Sequence, residues 1–199
     1  TAEAKKIIKE FAPDVCVGTG GYVSGPVIRE AAKLGIPCVI HESNAYPGVT
    51  TRMLAKSVKT VMLAVPDAKK YFDDSVNCVV TGNPVRGEVL AAEREASRKE
   101  LGLDERPVVL SFGGSLGASA LNRAAAYMLA QSAKKGEYQH IHGYGSHDEK
   151  FLSELEEFGL DAKKNPQIRL LEYIDNMPQC LSAADLVIGR AGAMTLTEI

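Results

Sequence analysis

A glycine-rich turn between a strand pattern and a helix pattern is the first segment that could do chemistry. Residues 111–122 read SFGGSLGASALN, an apolar run followed by a turn and a helical pattern. The turn consists of Gly113, Gly114, Ser115, Leu116 and Gly117. Glycines let a backbone approach a ligand closely, and the amides and dipole at a helix start favour an anion such as phosphate. The segment is neither a Walker A loop nor a strict GxGxxG, so we predict phosphate or nucleotide contact, with a packing role as the alternative.

The last residues of the chain carry a second candidate site. In residues 189–199, GRAGAMTLTEI, a predicted strand ends, small residues turn the chain, and a helix begins near Met194 and Thr195. Backbone amides and the Thr195 hydroxyl suit a diphosphate. Glu198, about one turn further on, can accept hydrogen bonds from both hydroxyls of a ribose. The alternatives are a local cap for Thr195 and a dipole-favoured carboxylate for Glu198.

Two further segments follow predicted strands in the first half of the chain. Residues 18–26, GTGGYVSGP, form another glycine-rich turn, with a tyrosine at its tip. Residues 40–48, IHESNAYPG, place His41, Glu42 and Asn44 where a strand ends, which is where open α/β sheets bind ligands. The alternatives are a turn needed only for packing, a hydrogen-bonded, partly buried His41, and a turn role for Asn44.

Short apolar runs alternate with helical patterns along the whole chain. Runs such as VVLSF and DLVIG are continuously apolar, which is typical of strands buried on both faces of a parallel sheet. We predict strands near residues 14–18, 37–41, 59–64, 76–81, 107–112, 138–142, 167–172 and 185–189. We predict helices near residues 2–11, 25–34, 49–56, 67–73, 92–101, 117–131, 147–158, 176–183 and from 193 on. Strict alternation indicates an α/β fold, here two Rossmann-like half-domains with parallel sheets.

A domain boundary is predicted between Gly82 and Arg106. The sequence GNPVR at 82–86 is a loop signal, residues 88–106 are highly charged, and PVVLSF then restarts the strand pattern. Arg86 follows the turn, where a guanidinium can form a fork onto a phosphate. A salt bridge within the linker is the equal alternative for Arg86.

Composition excludes several classes of protein. The 199 residues are 45% hydrophobic and 24% charged, with a formal net charge of −2. This is ordinary globular usage and disfavours a strongly basic nucleic-acid binder. No apolar run approaches the roughly 18 residues of a transmembrane helix, and no secretory signal is visible. The four cysteines form no CxxC pair, and His140, His142 and His147 lack matching carboxylates, so no metal site is predicted.

The segments GTGGYVSGP, IHESN, GNPVR, GGSLGASALN, EYIDNM and RAGAMTLTEI together resemble the MurG-type UDP-N-acetylglucosamine transferases in order and spacing. The resemblance covers essentially all 199 residues and implies a partial GT-B fold. Residues 1–85 would form the second half of the acceptor- and membrane-side N-domain, 86–106 a linker region, and 107–199 the first half of the UDP-sugar-binding C-domain. The implied reaction is inverting, metal-independent and cofactor-free. It transfers N-acetylglucosamine from UDP to the 4-hydroxyl of lipid-linked MurNAc-pentapeptide, a step of peptidoglycan precursor synthesis.

The resemblance also implies roles for individual residues. Donor contacts would come from Asn44, Arg86, Ser115, Ile174, Ala193, Met194, Thr195 and Glu198. A phosphate loop would include Gly113, Gly114, Leu116 and Gly117. Gly20, Gly21, Tyr22 and Glu42 would lie on the acceptor side. His41 is a candidate for an acid–base or positioning role.

The implied partners are UDP-N-acetylglucosamine, the lipid-linked muramoyl-pentapeptide and an anionic membrane surface, with no nucleic acid. The implied location is the cytoplasmic face of the bacterial plasma membrane. Residues 1–85 carry ten Lys and Arg against eight Asp and Glu, a net charge of +2, which agrees with this location. The chain starts at Thr1 and stops inside a helical pattern. It therefore reads as an internal fragment, inactive alone, whose main base would lie outside these residues.

Three other functions are compatible with parts of the pattern. A diacylglycerol glycosyltransferase of similar fold would change only the acceptor, and acceptor competition would separate the two. A non-catalytic module would bind UDP without turnover. A nicotinamide-dependent oxidoreductase is disfavoured because no strict GxGxxG with an acidic residue about 20 positions later is present.

Overall fold

The protein consists of two compact α/β units, residues 1–84 and 85–199. The computed structural model describes residues 2–148, 150–161 and 164–199. Each unit contains a four-stranded sheet in which all neighbouring strands run parallel. Parallel strands need long crossovers, and the helices between successive strands supply most of them.

The first unit has the strand order β1-β2-β3-β4. Its elements are α1 (Ala2–Phe11), β1 (Cys16–Gly18), α2 (Gly21–Lys33), β2 (Cys38–Glu42), α3 (Val49–Leu54), β3 (Thr60–Leu63) and β4 (Cys78–Val80), with 3₁₀ turns at Ala55–Ser57 and Pro66–Tyr71. The core forms where Ile28 of α2 and Ile40, Val61 and Leu63 of the strands are removed from water. These β-branched and leucine side chains suit a pleated, buried surface.

The second unit has the strand order β7-β6-β5-β8. Its elements are α4 (Gly87–Ala91), α5 (Arg94–Glu100), β5 (Val108–Phe112), α6 (Ser119–Lys135), β6 (Gln139–Gly143), α7 (Phe151–Glu157), β7 (Ile168–Leu171), α8 (Met177–Ala183), β8 (Leu186–Gly189) and α9 (Ala193–Glu198). The inner strands β5 and β6 are buried along almost their whole length, because α-helical side chains cover both faces of the sheet. For β5, this explains the continuous apolar run.

The predicted fold class is confirmed, and each predicted strand is present within two residues of its expected ends. The helix ends differ more from the prediction: α6 ends four residues late, α7 begins four residues late, and α2 begins at Gly21, four residues early. Tyr22 therefore lies in the first turn of a helix and not at a loop tip. Pro26 is tolerated inside α2, and its position had suggested a later start.

Residues 86–106, predicted as a linker region, fold as α4 and α5 and belong to the second unit. Arg98 donates a hydrogen bond to the Ala183 carbonyl at the end of α8 (3.2 Å) and pairs with Asp185. Asp185 also accepts a hydrogen bond from the Val108 backbone N–H (2.8 Å). This bond and the neighbouring guanidinium groups of Arg94 and Arg98 hold the pKa of Asp185 below its usual range. The charged segment is thus fastened to the start of β5.

Within the described residues, no helix has the length and apolar character needed to cross a bilayer. The same part of the chain contains no group of three or more His, Cys, Asp or Glu side chains placed to hold a metal ion.

Two histidines that the sequence placed on a strand are buried inside the second unit. His140 and His142 lie on the same face of β6, and the Ser111 hydroxyl sits 2.8 Å from His140 Nε2 and 2.7 Å from His142 Nδ1. A hydroxyl has one proton, so it donates to one ring and accepts from the other. Burial lowers the pKa of His140 to about 3 and that of His142 to about 4. Both rings are therefore neutral in the folded protein at ordinary pH.

These histidines predict an acid-sensitive second unit. Above pH 6.5 both are neutral in the folded and unfolded states. As the pH is lowered from about 6.5 to 4, only the unfolded chain takes up protons at these histidines. The free energy of unfolding should therefore fall by about 1.4 kcal/mol for each pH unit of acidification and for each histidine. Native-state hydrogen exchange at the β5 and β6 amides measures this slope.

The matched comparison for this prediction uses glutamine, which keeps a hydrogen-bonding group but does not titrate. His140→Gln with His142→Gln should flatten the slope, whereas His147→Gln, at an exposed position, should leave it unchanged. An equal slope in all three proteins would contradict the assignment.

Candidate functional site

The second unit has a cleft of about 250 Å³ at the carboxyl ends of its strands. We call it the second-unit cleft. Its walls are formed by Arg86, Phe112, Gly114, Ser115, Gly143, Glu172, Tyr173, Ile174, Asp175, Met177 and Glu198. Open parallel sheets bind ligands at this edge because the loops after the strands converge there.

Three consecutive loops lie at this edge of the sheet, and two of them line the cleft. We call residues 113–117, which follow β5, the glycine loop. We call residues 144–148, which follow β6, the middle loop, and residues 172–175, which follow β7, the EYID segment. The glycine loop and the EYID segment each contribute side or main chain to the cleft wall, and the middle loop lies between them.

The glycine loop and the middle loop touch backbone to backbone. Gly117 has a φ of +85° and Gly145 a φ of +83°, and a methyl group on either one would overlap the main chain of the other loop. A Cβ at Gly113 would also stand 2.6 Å from the Ala118 nitrogen. Gly113 and Gly117 therefore serve packing, which was the alternative reading of the glycine-rich turn.

Gly114 and Ser115 are the parts of the glycine loop that face the cleft. Gly114 has a φ of +97° and open space where a Cβ would be, so its main chain is accessible to a ligand. Ser115 is exposed, and its carbonyl accepts the Ser146 N–H of the middle loop (3.2 Å). Leu116 is exposed but does not border the cleft. In the predicted loop, Gly113 and Gly117 therefore pack against neighbouring main chain, and Gly114 and Ser115 are accessible to a ligand.

Ile174 also borders the second-unit cleft. The residue is 5% exposed, and its side chain packs so closely on β6 that a Cβ at Gly143 would stand 2.9 Å from its Cδ1. Its N–H donates no hydrogen bond to any described residue. An unpaired amide at the edge of a cleft is available to a ligand acceptor.

The charges around the second-unit cleft are uneven. Among the described residues, Arg86 is the only basic side chain in its wall, and Glu172, Asp175 and Glu198 are acidic. Within the described ranges Arg86 forms no ion pair, so the predicted alternative of a linker salt bridge is absent there. A phosphate would need Arg86 and main-chain amides together, whereas the carboxylates suit hydroxyl or N–H donors.

Ala193, Met194 and Thr195 form the first turn of α9 but do not line the second-unit cleft. The residue at the N-cap is Gly192, and no side chain caps this helix. Thr195 is therefore not the local cap that was considered, and the donor roles of these three residues stay predictions.

The first unit has a separate cleft of about 270 Å³, which we call the first-unit cleft. Its walls are formed by Thr19, Gly20, Gly21, Tyr22, His41, Glu42, Ser43, Asn44, Gly48, Val49, Thr50 and Thr51. All the residues predicted for the acceptor side, with His41 and Asn44, come together here.

Glu42 organises the loop that borders the first-unit cleft. One carboxylate oxygen accepts hydrogen bonds from the Asn44 N–H and side-chain amide (both 3.0 Å). The other accepts the Gly48 N–H (2.9 Å). Burial would raise the pKa of Glu42, but the hydrogen bonds from Thr51, Asn44 and Gly48 outweigh it and lower the pKa. The carboxylate is thus ionised and engaged by the loop.

His41 also holds a loop. Its Nε2–H donates to the Gly82 carbonyl (2.9 Å), because a carbonyl oxygen can only accept a hydrogen bond. Nδ1 lies 3.4 Å from the Ser43 hydroxyl. The ring is 8% exposed, as the partly buried, hydrogen-bonded alternative predicted.

Sequence reasoning missed several residues of these sites. Glu172, Tyr173 and Asp175 line the second-unit cleft, and the signal was available, since EYIDNM directly follows a predicted strand. Asn122, at the end of the quoted glycine-rich motif, is buried and bonds to the middle loop. No local sequence pattern predicts that contact.

The chain is similar to proteins of one glycosyltransferase family. Residues 1–63 match the glycosyltransferase family 28 N-terminal domain, and residues 108–199 match the family 28 C-terminal domain. A protein of Acetivibrio thermocellus is 42% identical over 199 residues, which is 100% of this chain and 53% of that protein. Its name is UDP-N-acetylglucosamine–N-acetylmuramyl-(pentapeptide) pyrophosphoryl-undecaprenol N-acetylglucosamine transferase. A protein of Ruminiclostridium cellulolyticum with the same name is 42% identical over 99% of this chain and 54% of its own length.

Solved structures agree in fold. Acinetobacter baumannii MurG superposes with a TM-score of 0.60 at 35% identity, covering 99% of this chain and 52% of that one. A UDP-GlcNAc 2-epimerase from Neisseria meningitidis bound to UDP-GlcNAc has a TM-score of 0.66 at 12% identity, covering 96% of this chain and 58% of that one. The latter likeness shows the fold alone. The chain spans about half the length of the relatives it matches.

The loop contact generates a stability prediction. Gly117→Ala should destabilise the second unit by about 3 kcal/mol or more, because overpacking adds to the strain of a left-handed residue. Gly136→Ala is the matched control: it has a φ of +66° at the end of α6 and open space around it. It should cost only about 1–2 kcal/mol. Equal losses for the two variants, measured by hydrogen exchange at the β5 amides, would show that the loops do not depend on this contact.

Proposed function

Because the chain belongs to glycosyltransferase family 28, we propose that it carries the donor-binding part of a UDP-N-acetylglucosamine transferase. The reaction we propose moves N-acetylglucosamine to the 4-hydroxyl of a lipid-linked MurNAc-pentapeptide. The observation that carries the proposal is the second-unit cleft, whose wall includes Arg86, Gly114, Ser115, Ile174 and Glu198. The relatives that are 42% identical bear the name of this activity.

In this proposal the donor lies along the second-unit cleft, with each of its charged or polar groups next to a complementary group of the protein. Arg86, the exposed Gly114 main chain and the Ser115 hydroxyl bind the diphosphate. The unpaired Ile174 N–H meets an acceptor oxygen of the uracil ring. Glu198 accepts both ribose hydroxyls. Ala193, Met194 and Thr195, in the first turn of α9, lie outside the cleft wall. For them we propose further phosphate contacts beyond that wall.

The first-unit cleft would hold the acceptor sugar. Gly20, Gly21 and Tyr22 would line it. Asn44 is predicted as a donor contact but lies in the first-unit cleft and not in the second, so we propose that its side-chain oxygen accepts a hydrogen bond from a sugar hydroxyl or amide here. For Glu42 we propose an indirect role, since its carboxylate fixes Asn44 and Gly48. For His41 we propose the positioning role rather than the acid–base role, because its Nε2–H is bound to Gly82 and the ring is buried.

The chemistry follows from the charge that develops as the sugar–phosphate bond breaks. The acceptor 4-hydroxyl attacks C1 of the donor sugar and UDP leaves from the opposite face, which inverts the configuration. A base removes the hydroxyl proton. The growing negative charge on the diphosphate is stabilised by Arg86 and the glycine-loop main chain, which are already in place and need no reorganisation. Electrostatic stabilisation of this kind can replace a metal ion at the leaving group.

We also propose that the first unit contacts an anionic membrane surface, on the cytoplasmic face, where the lipid-linked acceptor would lie. Exposed apolar side chains of α2 and α3 lie beside the first-unit cleft: Tyr22 is 86% exposed and Met53 73%. The two helices pack together, with Gly25 against Thr50. Arg52 adds positive charge next to these apolar groups, where it stacks over Tyr46. Apolar insertion combined with basic residues is the usual basis of reversible binding to anionic lipid.

Transfer of labelled N-acetylglucosamine tests the function directly. The full gene product containing this sequence should transfer sugar from UDP to a lipid-linked muramoyl-pentapeptide and not to diacylglycerol. Glu198→Ala should raise the donor KM about tenfold or more, because it removes a charged acceptor of two hydrogen bonds. Glu157→Ala, which removes an exposed carboxylate on α7, is the control and should change nothing. Preferential transfer to diacylglycerol would replace the proposed acceptor, and UDP binding without any transfer would indicate a binding module.

Vesicle co-sedimentation tests the membrane contact. Met53→Ser should weaken binding of the chain to vesicles of phosphatidylglycerol and phosphatidylcholine several-fold, because it removes an exposed apolar side chain. Leu152→Ser, at an exposed leucine in the second unit, should have no effect. Equal losses for both variants, or equal binding of the wild type to pure phosphatidylcholine, would refute an anionic surface at α2 and α3.

A further inference from the structure

A buried amide joins the helix after the glycine loop to the middle loop. Asn122 lies in the first turn of α6 and is fully buried. Its side-chain Nδ2 donates hydrogen bonds to the Tyr144 carbonyl (2.7 Å) and to the Asp148 carboxylate (2.8 Å). These partners bracket the middle loop at its two ends. One amide group therefore fixes both ends of that loop to the start of α6.

The middle loop is in turn bonded to both walls of the second-unit cleft. On one side, the Ser146 N–H donates to the Ser115 carbonyl and the His147 N–H to the Leu116 carbonyl (both 3.2 Å). On the other side, the Gly145 N–H donates to the Glu172 carbonyl (2.9 Å). The middle loop thus sets the distance between the glycine loop and the EYID segment.

We propose that Asn122 is a positioning residue that sets the spacing between the phosphate-binding and base-binding walls of the second-unit cleft. The inference rests on the proposed binding of a nucleoside diphosphate in that cleft. UDP must reach both walls at once, so its affinity depends on their spacing. Uridine alone needs only the base and ribose contacts. Asn122 does not line the cleft, so its effect on a ligand must pass through the middle loop.

The chemistry of the position explains why an amide is needed. A carbonyl and a carboxylate are both acceptors, and the amide offers two N–H donors on one nitrogen. The Asn122 side-chain oxygen has no hydrogen-bond partner among the described residues although it is buried, and this costs stability. The donor group is therefore the feature that the fold uses. An aspartate of the same shape would set an acceptor against two acceptors.

Titration of UDP and of uridine into the same protein tests the inference. In the Asn122→Asp variant, affinity for UDP should fall about tenfold or more, while affinity for uridine should change little. Asn122→Asp combined with Asp148→Asn returns a donor to one of the two contacts and should recover part of the UDP affinity. A purely structural loss would not change the ratio of the two affinities.

Ser132→Ala is the matched control. Ser132 is also buried, and its hydroxyl bonds to the Tyr138 carbonyl at the opposite end of α6 (3.4 Å). This variant should lower the melting temperature and leave both affinities unchanged. If Asn122→Asp does not fold, Asp148→Ala carries the test, because that carboxylate is partly exposed. It should show a smaller selective loss of UDP affinity.

Each result separates this inference from the proposed function. Wild-type protein that binds UDP, with variants that lose UDP and uridine affinity in equal proportion or not at all, would overturn the positioning role alone. Wild-type protein that does not bind UDP would overturn the proposed function and this inference with it.

Discussion

The second-unit cleft depends on the close approach of two main-chain segments, Gly117 and Gly145. Neither position has room for a Cβ, and both backbones are left-handed, so the contact requires glycine at each. Once the loops touch, the amides of the middle loop reach carbonyls of the glycine loop and of the EYID segment. These bonds satisfy main-chain groups that would otherwise be unpaired near the sheet edge. The cleft wall is then formed by the groups of these loops that take no part in this hydrogen-bond network.

Because of this constraint, each sequence motif contains residues that pack against neighbouring segments and residues that are accessible to a ligand. In the glycine loop, Gly113 and Gly117 pack against neighbouring main chain, while Gly114 and Ser115 face the cleft. In the first unit, the Glu42 carboxylate fixes the following loop, and Asn44 lines the first-unit cleft. Binding groups held in this way need little reordering when a ligand arrives, which is what favours charge stabilisation in a transition state.

Much of the fold could be predicted from sequence because its signals are local. Buried parallel strands produce continuous apolar runs, and the predicted strands near 107–112 and 185–189 match β5 and β8 closely. The start of α2 is harder to predict, because a helix rarely begins with a residue of positive φ, as at Gly21, and rarely contains a proline, as at Pro26. The charge of segment 86–106 predicts a linker. The sequence does not reveal that the segment packs on the second unit, because its contact with Asp185 joins residues far apart in sequence. The same reason hid Asn122, whose partners lie more than twenty residues away. The candidate residues Arg86, Ser115, Ile174 and Glu198 do share one cleft, but only the structure shows that the Ile174 side chain packs against Gly143 of β6.

The central claim is that the second-unit cleft binds a nucleoside diphosphate through its two walls together. The most direct measurement is a titration of the isotope-labelled chain with UDP, followed by the amide resonances of Gly114, Ser115 and Ile174. Our account predicts that all three amides shift along one binding curve, while the resonances of the first-unit cleft stay in place. Shifts confined to one wall, or concentrated around His41 and Asn44, would contradict it.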